Sequence, residues 1–130
     1  PGDPIAFVAG DDGLYSFNVK DPANPIFLDS VGTPGSANDV CVIAKATQFG
    51  TIVKAYVADG SGGMRIINVT SPGNMSEVGS YATAASALGI DCMINKVGGT
   101  MLAFVAVGSS GLEVVDVSST PDQFGIIDPG

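Results

Sequence analysis

Residues Ala55-Tyr56-Val57-Ala58-Asp59-Gly60-Ser61-Gly62-Gly63-Met64-Arg65-Ile66-Ile67-Asn68-Val69 set two short apolar runs around a Gly- and Asp-rich turn. The same arrangement stands on either side. Ala6-Phe7-Val8-Ala9 and Ala103-Phe104-Val105-Ala106 echo the first run, and Gly13-Leu14-Tyr15-Ser16-Phe17-Asn18-Val19 and Gly111-Leu112-Glu113-Val114-Val115-Asp116-Val117 echo the second. The offsets are 50 residues from Gly13 to Gly63 and 48 from Gly63 to Gly111. Pro22, Pro72 and Pro121 close the three units. A period of this size marks a repeat architecture, so it governs the rest of the reading.

Each unit reads as short strands. The apolar runs are rich in β-formers, and the Gly/Asp segments between them supply the positive φ that tight hairpins need. Asn18, Asn68 and Asp116 follow the second strand, where their side chains can bond the backbone ahead. A third strand is expected at Ile26-Phe27-Leu28, Ser76-Glu77-Val78 and Ile126-Ile127. A fourth is expected at Val40-Cys41-Val42-Ile43-Ala44 and Ile90-Asp91-Cys92-Met93-Ile94. Ala82–Leu88 tolerates helix but occupies the place of the loop at Thr33-Pro34-Gly35-Ser36, so it reads as a loop.

Four antiparallel strands per 48–50 residues match a β-propeller blade of roughly 40–50 residues. Packing against neighbours on both faces explains why Ile66-Ile67 and Val114-Val115 break simple alternation. The fold expected is all-β, with about three blades in one repeat domain over residues 1–130. Blade 1 spans about 5–33, blade 2 about 37–83 and blade 3 about 87–128. The first blade lacks its innermost strand.

Tyr56-Val57-Ala58-Asp59-Gly60-Ser61-Gly62-Gly63-Met64-Arg65-Ile66-Ile67-Asn68-Val69-Thr70-Ser71-Pro72 resembles the LVIVD repeat, and Glu77-Val78-Gly79-Ser80-Tyr81 resembles the strand that follows in it. The first unit departs from the pattern at Ser16 and by a shorter turn. The third has Val107 where the family has Asp. The resemblance implies propeller blades of exported prokaryotic proteins. It implies no reaction, because these repeats share no catalytic residues.

Composition narrows the function. Of 130 residues, 18 are Gly and 8 Pro, and 45% are apolar, enough for a core and against long helices. Five basic residues against thirteen acidic ones give a net charge of −8, which disfavours nucleic acid and anionic membrane surfaces. No apolar run reaches the length of a membrane span. The chain has no His, which removes imidazole triads and imidazole metal sites. No catalytic residue, cofactor site or metal site is expected. The chain opens on Pro1 without initiator Met or signal peptide, and so reads as processed, truncated or excised.

Several residues still merit individual readings. Cys41 and Cys92 lie on equivalent innermost strands but one position apart, which points them to opposite sheet faces. That parity suits a disulfide across a blade interface. The usual spacing of about 10 Å between packed sheets argues against one, and buried free thiols are the expected state. Asp11, Asp12 and Asp59 are turn residues first and calcium ligands second. Asn68 and Asn74 open N-glycosylation sequons, Asn74 being the better candidate. Lys20, Lys45, Lys54, Arg65 and Lys96 look scattered, with no anion site among them. Tyr15, Phe27, Phe49 and Phe124 form a candidate aromatic contact set, with core packing expected for Phe27 and Phe124. Phe49 is placed in the longer hairpin over Thr47-Gln48-Phe49-Gly50-Thr51, three residues longer than its counterpart measured from Cys to Ala.

Three blades fall short of the roughly four that close a propeller, and bare blade faces mark interfaces. The reading is a non-enzymatic extracellular scaffold that completes itself through its blade faces as a homo-oligomer or polymer, ring or filament, with no nucleic-acid partner. The alternative is a piece of a larger propeller enzyme or solute-binding propeller, with an axial site near Asn38, Asp39 and Asp91.

Overall fold

A computed structural model describes residues 2–95 and 98–118, and the strand Asp122–Ile127 by its backbone alone. The chain forms three antiparallel sheets and, among the described residues, no α-helix. Strands β1 (Ile5–Gly10), β2 (Gly13–Asn18) and β3 (Ile26–Gly32) make the first sheet. Strands β4 (Asp39–Thr47), β5 (Gly50–Ala58), β6 (Met64–Asn68) and β7 (Ser76–Tyr81) make the second. Strands β8 (Gly89–Ile94), β9 (Met101–Ala106), β10 (Leu112–Asp116) and β11 (Asp122–Ile127) make the third. These are propeller-type blades, and the first has three strands where the others have four.

Repeated hydrogen bonds hold the blades in one local pattern. Asn18, Asn68 and Asp116 each accept the backbone N–H two residues on, all at 2.9 Å. The residue between them then bonds back to its own blade: Val19 to Pro4, Val69 to Val53 and Val117 to Met101. A short polar side chain that satisfies the backbone after a strand ends the strand and aims the chain into the next turn.

Register decides what each blade face carries. In blade 2, Tyr56 pairs with Cys41 and Ile66, and Ala58 with Met64. Tyr56, Ala58, Met64 and Ile66 therefore share the face that packs on Ala103, Val105, Val115 and Val117 of blade 3. The opposite face, with Ala55, Val57, Ile67 and Val69, packs on Leu14 of blade 1. Ile66 and Ile67 are both buried because both faces are covered.

The hairpin after Cys41 is longer than its counterpart because its strands are: β4 and β5 run to 9 residues each, joined by a tight turn at Gln48-Phe49, with Gly50 at φ +121°. Phe49 is 92% exposed at that tip. Phe27 is not core. It lies on the outer strand of blade 1, 55% exposed, with its ring edge-on to Phe17 at 5.8 Å. Among the described residues no further sheet covers that face. The side chain of Phe124 lies outside the described residues, as do Lys96 and Pro121.

Candidate functional site

Adjacent blades leave a cleft between them on the side where β5 and β9 begin. Between blades 2 and 3 it has a volume of about 160 Å³, lined by Ile43, Lys45, Thr47, Ile52, Lys54 and Tyr56 of blade 2 and by Met101 and Ser118 of blade 3. The matching cleft between blades 1 and 2 is wider, about 440 Å³, and carries Asp3, Ile5, Phe7, Val53, Val69 and Thr70. Repeat position for repeat position, Lys54 replaces Ile5, Tyr56 replaces Phe7 and Ser118 replaces Thr70. Lys45 comes from β4, the innermost strand for which blade 1 has no counterpart.

The lysines are therefore not all scattered. Hairpin register places Ile43 opposite Lys54 and Lys45 opposite Ile52, so Lys45 and Lys54 are diagonal neighbours on one face. Neither takes part in the ion pairs among the described residues, which use Lys20 and Arg65. Tyr56 is only 1% exposed, and burial raises its pKa above the ordinary tyrosine value.

The innermost strands meet at Cys41 and Cys92. The two are not separate buried thiols: their sulfurs are bonded in the structure, with the Cα atoms 5.9 Å apart. Register explains the geometry. Cys41 shares the forward face of blade 2 with Tyr56, and Cys92 shares with Ala103 the face of blade 3 that looks back. Innermost strands converge well inside the usual sheet spacing, which brings the pair within bridging range.

The axial candidates divide. Asn38 Nδ2 donates to the Ala87 carbonyl at 3.0 Å, and Asp39 Oδ2 accepts the Ile90 N–H at 3.0 Å, so both join blade 2 to blade 3. Asp91 is exposed and accepts from its neighbour Cys92.

The turn carboxylates are also separated. Asp11 and Asp12 are exposed, and Asp12 accepts the Tyr15 hydroxyl, a bond that leads the causes raising the Tyr15 pKa. Asp59 is wholly buried and accepts Thr33 Oγ1 and the Gly35 N–H, with Arg65 Nε 3.9 Å away. No group of three metal-ligating side chains occurs among the described residues.

Of the sequons, Asn74 is exposed in the turn before β7, while the Asn68 carbonyl oxygen is occupied by Thr70 N–H. Sequence reading missed Glu113, which is buried and accepts the Ala84 N–H at 2.7 Å. The signal was a charged residue inside a strand with apolar neighbours on both sides. It also missed the reason for Ser16, whose hydroxyl donates to the Pro72 carbonyl of blade 2 at 2.6 Å.

Two segments, residues 55–83 and 102–122, match the LVIVD repeat. The chain carries LVIVD repeats. The matched residues run from β5 to just past β7 and from β9 to the start of β11, so the LVIVD signal lies in blades 2 and 3. No curated protein matches the sequence. No helix among the described residues is long and apolar enough to cross a membrane.

Proposed function

We propose that this LVIVD-repeat chain is a non-enzymatic, extracellular scaffold whose copies complete one another head to tail through their blade faces. One observation carries the reading: the outward faces of blades 1 and 3 repeat the two halves of an interface the molecule already makes twice. Phe104, Ala106, Leu112 and Val114 on blade 3 stand at the repeat positions of Tyr56, Ala58, Met64 and Ile66, which hold the next blade. Ala6, Val8, Phe17 and Val19 on blade 1 stand at the positions of Ala55, Val57, Ile67 and Val69, which receive the previous one. Val8 is 45% exposed there. A head-to-tail contact of this kind closes into a ring or propagates as a filament.

Extracellular placement is supported by the repeat type and by the cross-blade cysteine bridge, which persists in oxidising compartments. The absence of His among 130 residues supports a role without imidazole-based catalysis.

Light scattering on the intact chain, followed by negative-stain microscopy, tests the assembly. The expected result is a discrete ring or a filament, reduced to monomer by Val8→Asp, with the β-sheet circular dichroism unchanged. A well-folded wild-type monomer at high concentration overturns the reading.

A further inference from the structure

The cleft between blades 2 and 3 differs from its twin in chemistry, not only in size. The twin offers Ile5, Phe7 and a carboxylate, Asp3. This one offers two ammonium groups and a phenol, from Lys45, Lys54 and Tyr56, and no carboxylate; Thr47 and Ser118 beside them bond the backbone of Gly50, Phe49 and Met101. Like charges at diagonal positions of a strand pair repel each other. In a chain with thirteen acidic residues and five basic ones, two cations nevertheless face one cleft without a carboxylate partner.

Tyr56 adds an independent sign. It is almost wholly buried, and its hydroxyl bonds no protein group among the described residues. No fully buried side-chain oxygen or nitrogen there lacks a partner, so this hydroxyl opens onto the cleft. Burial favours the neutral phenol, which keeps it a hydrogen-bond donor through the neutral range.

We propose that the cleft between blades 2 and 3 binds a small oxyanion, a carboxylate or phosphate group, held by the ammonium groups of Lys45 and Lys54 and by the Tyr56 hydroxyl. An anion between the lysines relieves their repulsion and gives the phenol an acceptor. The volume of about 160 Å³ suits a ligand of this size, since a cavity of about 150 Å³ admits benzene. The negative charge of the whole chain repels anions at a distance, so recognition rests on these short-range donors.

Titration of the intact chain with inorganic phosphate and with acetate, at constant ionic strength set by chloride, tests the site through amide shifts in NMR. Saturable shifts at Lys54, Tyr56 and Ser118 are expected, with a dissociation constant near ~1 mM for so small a ligand. Lys54→Met, which keeps the apolar stem, should weaken binding at least about tenfold, and Tyr56→Phe about threefold to tenfold. Lys20→Met changes the net charge equally, at the Lys20–Asp3 ion pair of blade 1 and outside this cleft, and should have no effect. Amide shifts away from the cleft show that each variant is folded. Shifts that stay linear with anion concentration overturn the site. So does equal weakening by Lys20→Met, or undiminished binding in folded Lys54→Met. Saturation by phosphate but not acetate, or the reverse, confirms the oxyanion site and names its source.

Discussion

The interface between blades 1 and 2 and the one between blades 2 and 3 join the same repeat faces by different means. The second has two innermost strands, β4 and β8, linked by the cysteine bridge and by Asp39 with Ile90. The first has no such strand on the blade 1 side. It is held instead by polar contacts farther out: Ser16 to the Pro72 carbonyl, the Met75 N–H to Asp29 Oδ2, and Thr33 and Gly35 to Asp59. A blade can thus lose a strand and keep its neighbour, provided buried hydrogen bonds replace the missing apolar contact.

The loops that cross the two interfaces show the exchange residue by residue. Thr33-Pro34-Gly35 is held by Asp59, and a Cβ on Gly35 would overlap the Asp59 carbonyl oxygen. A Cβ on Gly62 would overlap the Asp59 carboxylate. In the next repeat Val107 replaces Asp59, and Ala85 and Ser110 stand where Gly35 and Gly62 were. The carboxylate has moved to Glu113, at the position of Arg65, and accepts from Ala84, which stands where Pro34 has no N–H to give. Carboxylate, glycines and proline change together, as one device replaced by another.

Breaking the bridge should separate the interfaces most. Cys41→Ser with Cys92→Ser opens a loop of 51 residues and should cost about 4 kcal/mol on the loop-entropy estimate. Denaturant titration measures it, and a mass two daltons lower before reduction shows the bridge in solution. Unchanged stability after reduction would place the strength of the molecule at the polar interface instead.

Asp59→Ala comes next, at about 3 kcal/mol, because two donors lose a buried acceptor. Glu113→Ala should cost less, about 1.5–2 kcal/mol, with one backbone donor left unpaired. Transplanting the second device into the first sharpens the contrast. Asp59→Val with Arg65→Glu should stay destabilised, and adding Pro34→Ala should recover about 1 kcal/mol by restoring an N–H. Gly35→Ala should cost about 1–3 kcal/mol by overpacking, while Ala85→Gly should cost only about 0.5–1 kcal/mol.

The smallest effect is electrostatic. The Tyr15 phenol bonds Asp12, and its pKa is raised. The folded state therefore favours the protonated phenol, and that contribution is complete below the unfolded tyrosine pKa and fades as pH rises through the folded one. Spectrophotometric titration should show Asp12→Asn moving the Tyr15 midpoint down.

Much of this was legible in the sequence because the repeat compares the chain with itself. The strands, the turn residues Asn18, Asn68 and Asp116 and the three-stranded first blade all follow from matching one unit against the next. What stayed hidden depends on register across a hairpin or on partners in another blade. Lys45 and Lys54 become neighbours only once Thr47 is paired with Gly50. Asp59 looked like a turn former until the crossing loop supplied its donors. Phe27 looked like core because an apolar strand residue usually is, but β3 is an outer strand with no sheet beyond its exposed face.

The brackets at Asn18, Asn68 and Asp116 all close inside their own blade. A cut at Thr33 and Thr83 would lift out one whole cassette and sever none of them. Gene duplication can therefore lengthen or shorten such a protein by whole units, with the curvature of the arc as the variable and the folding instructions of each unit intact.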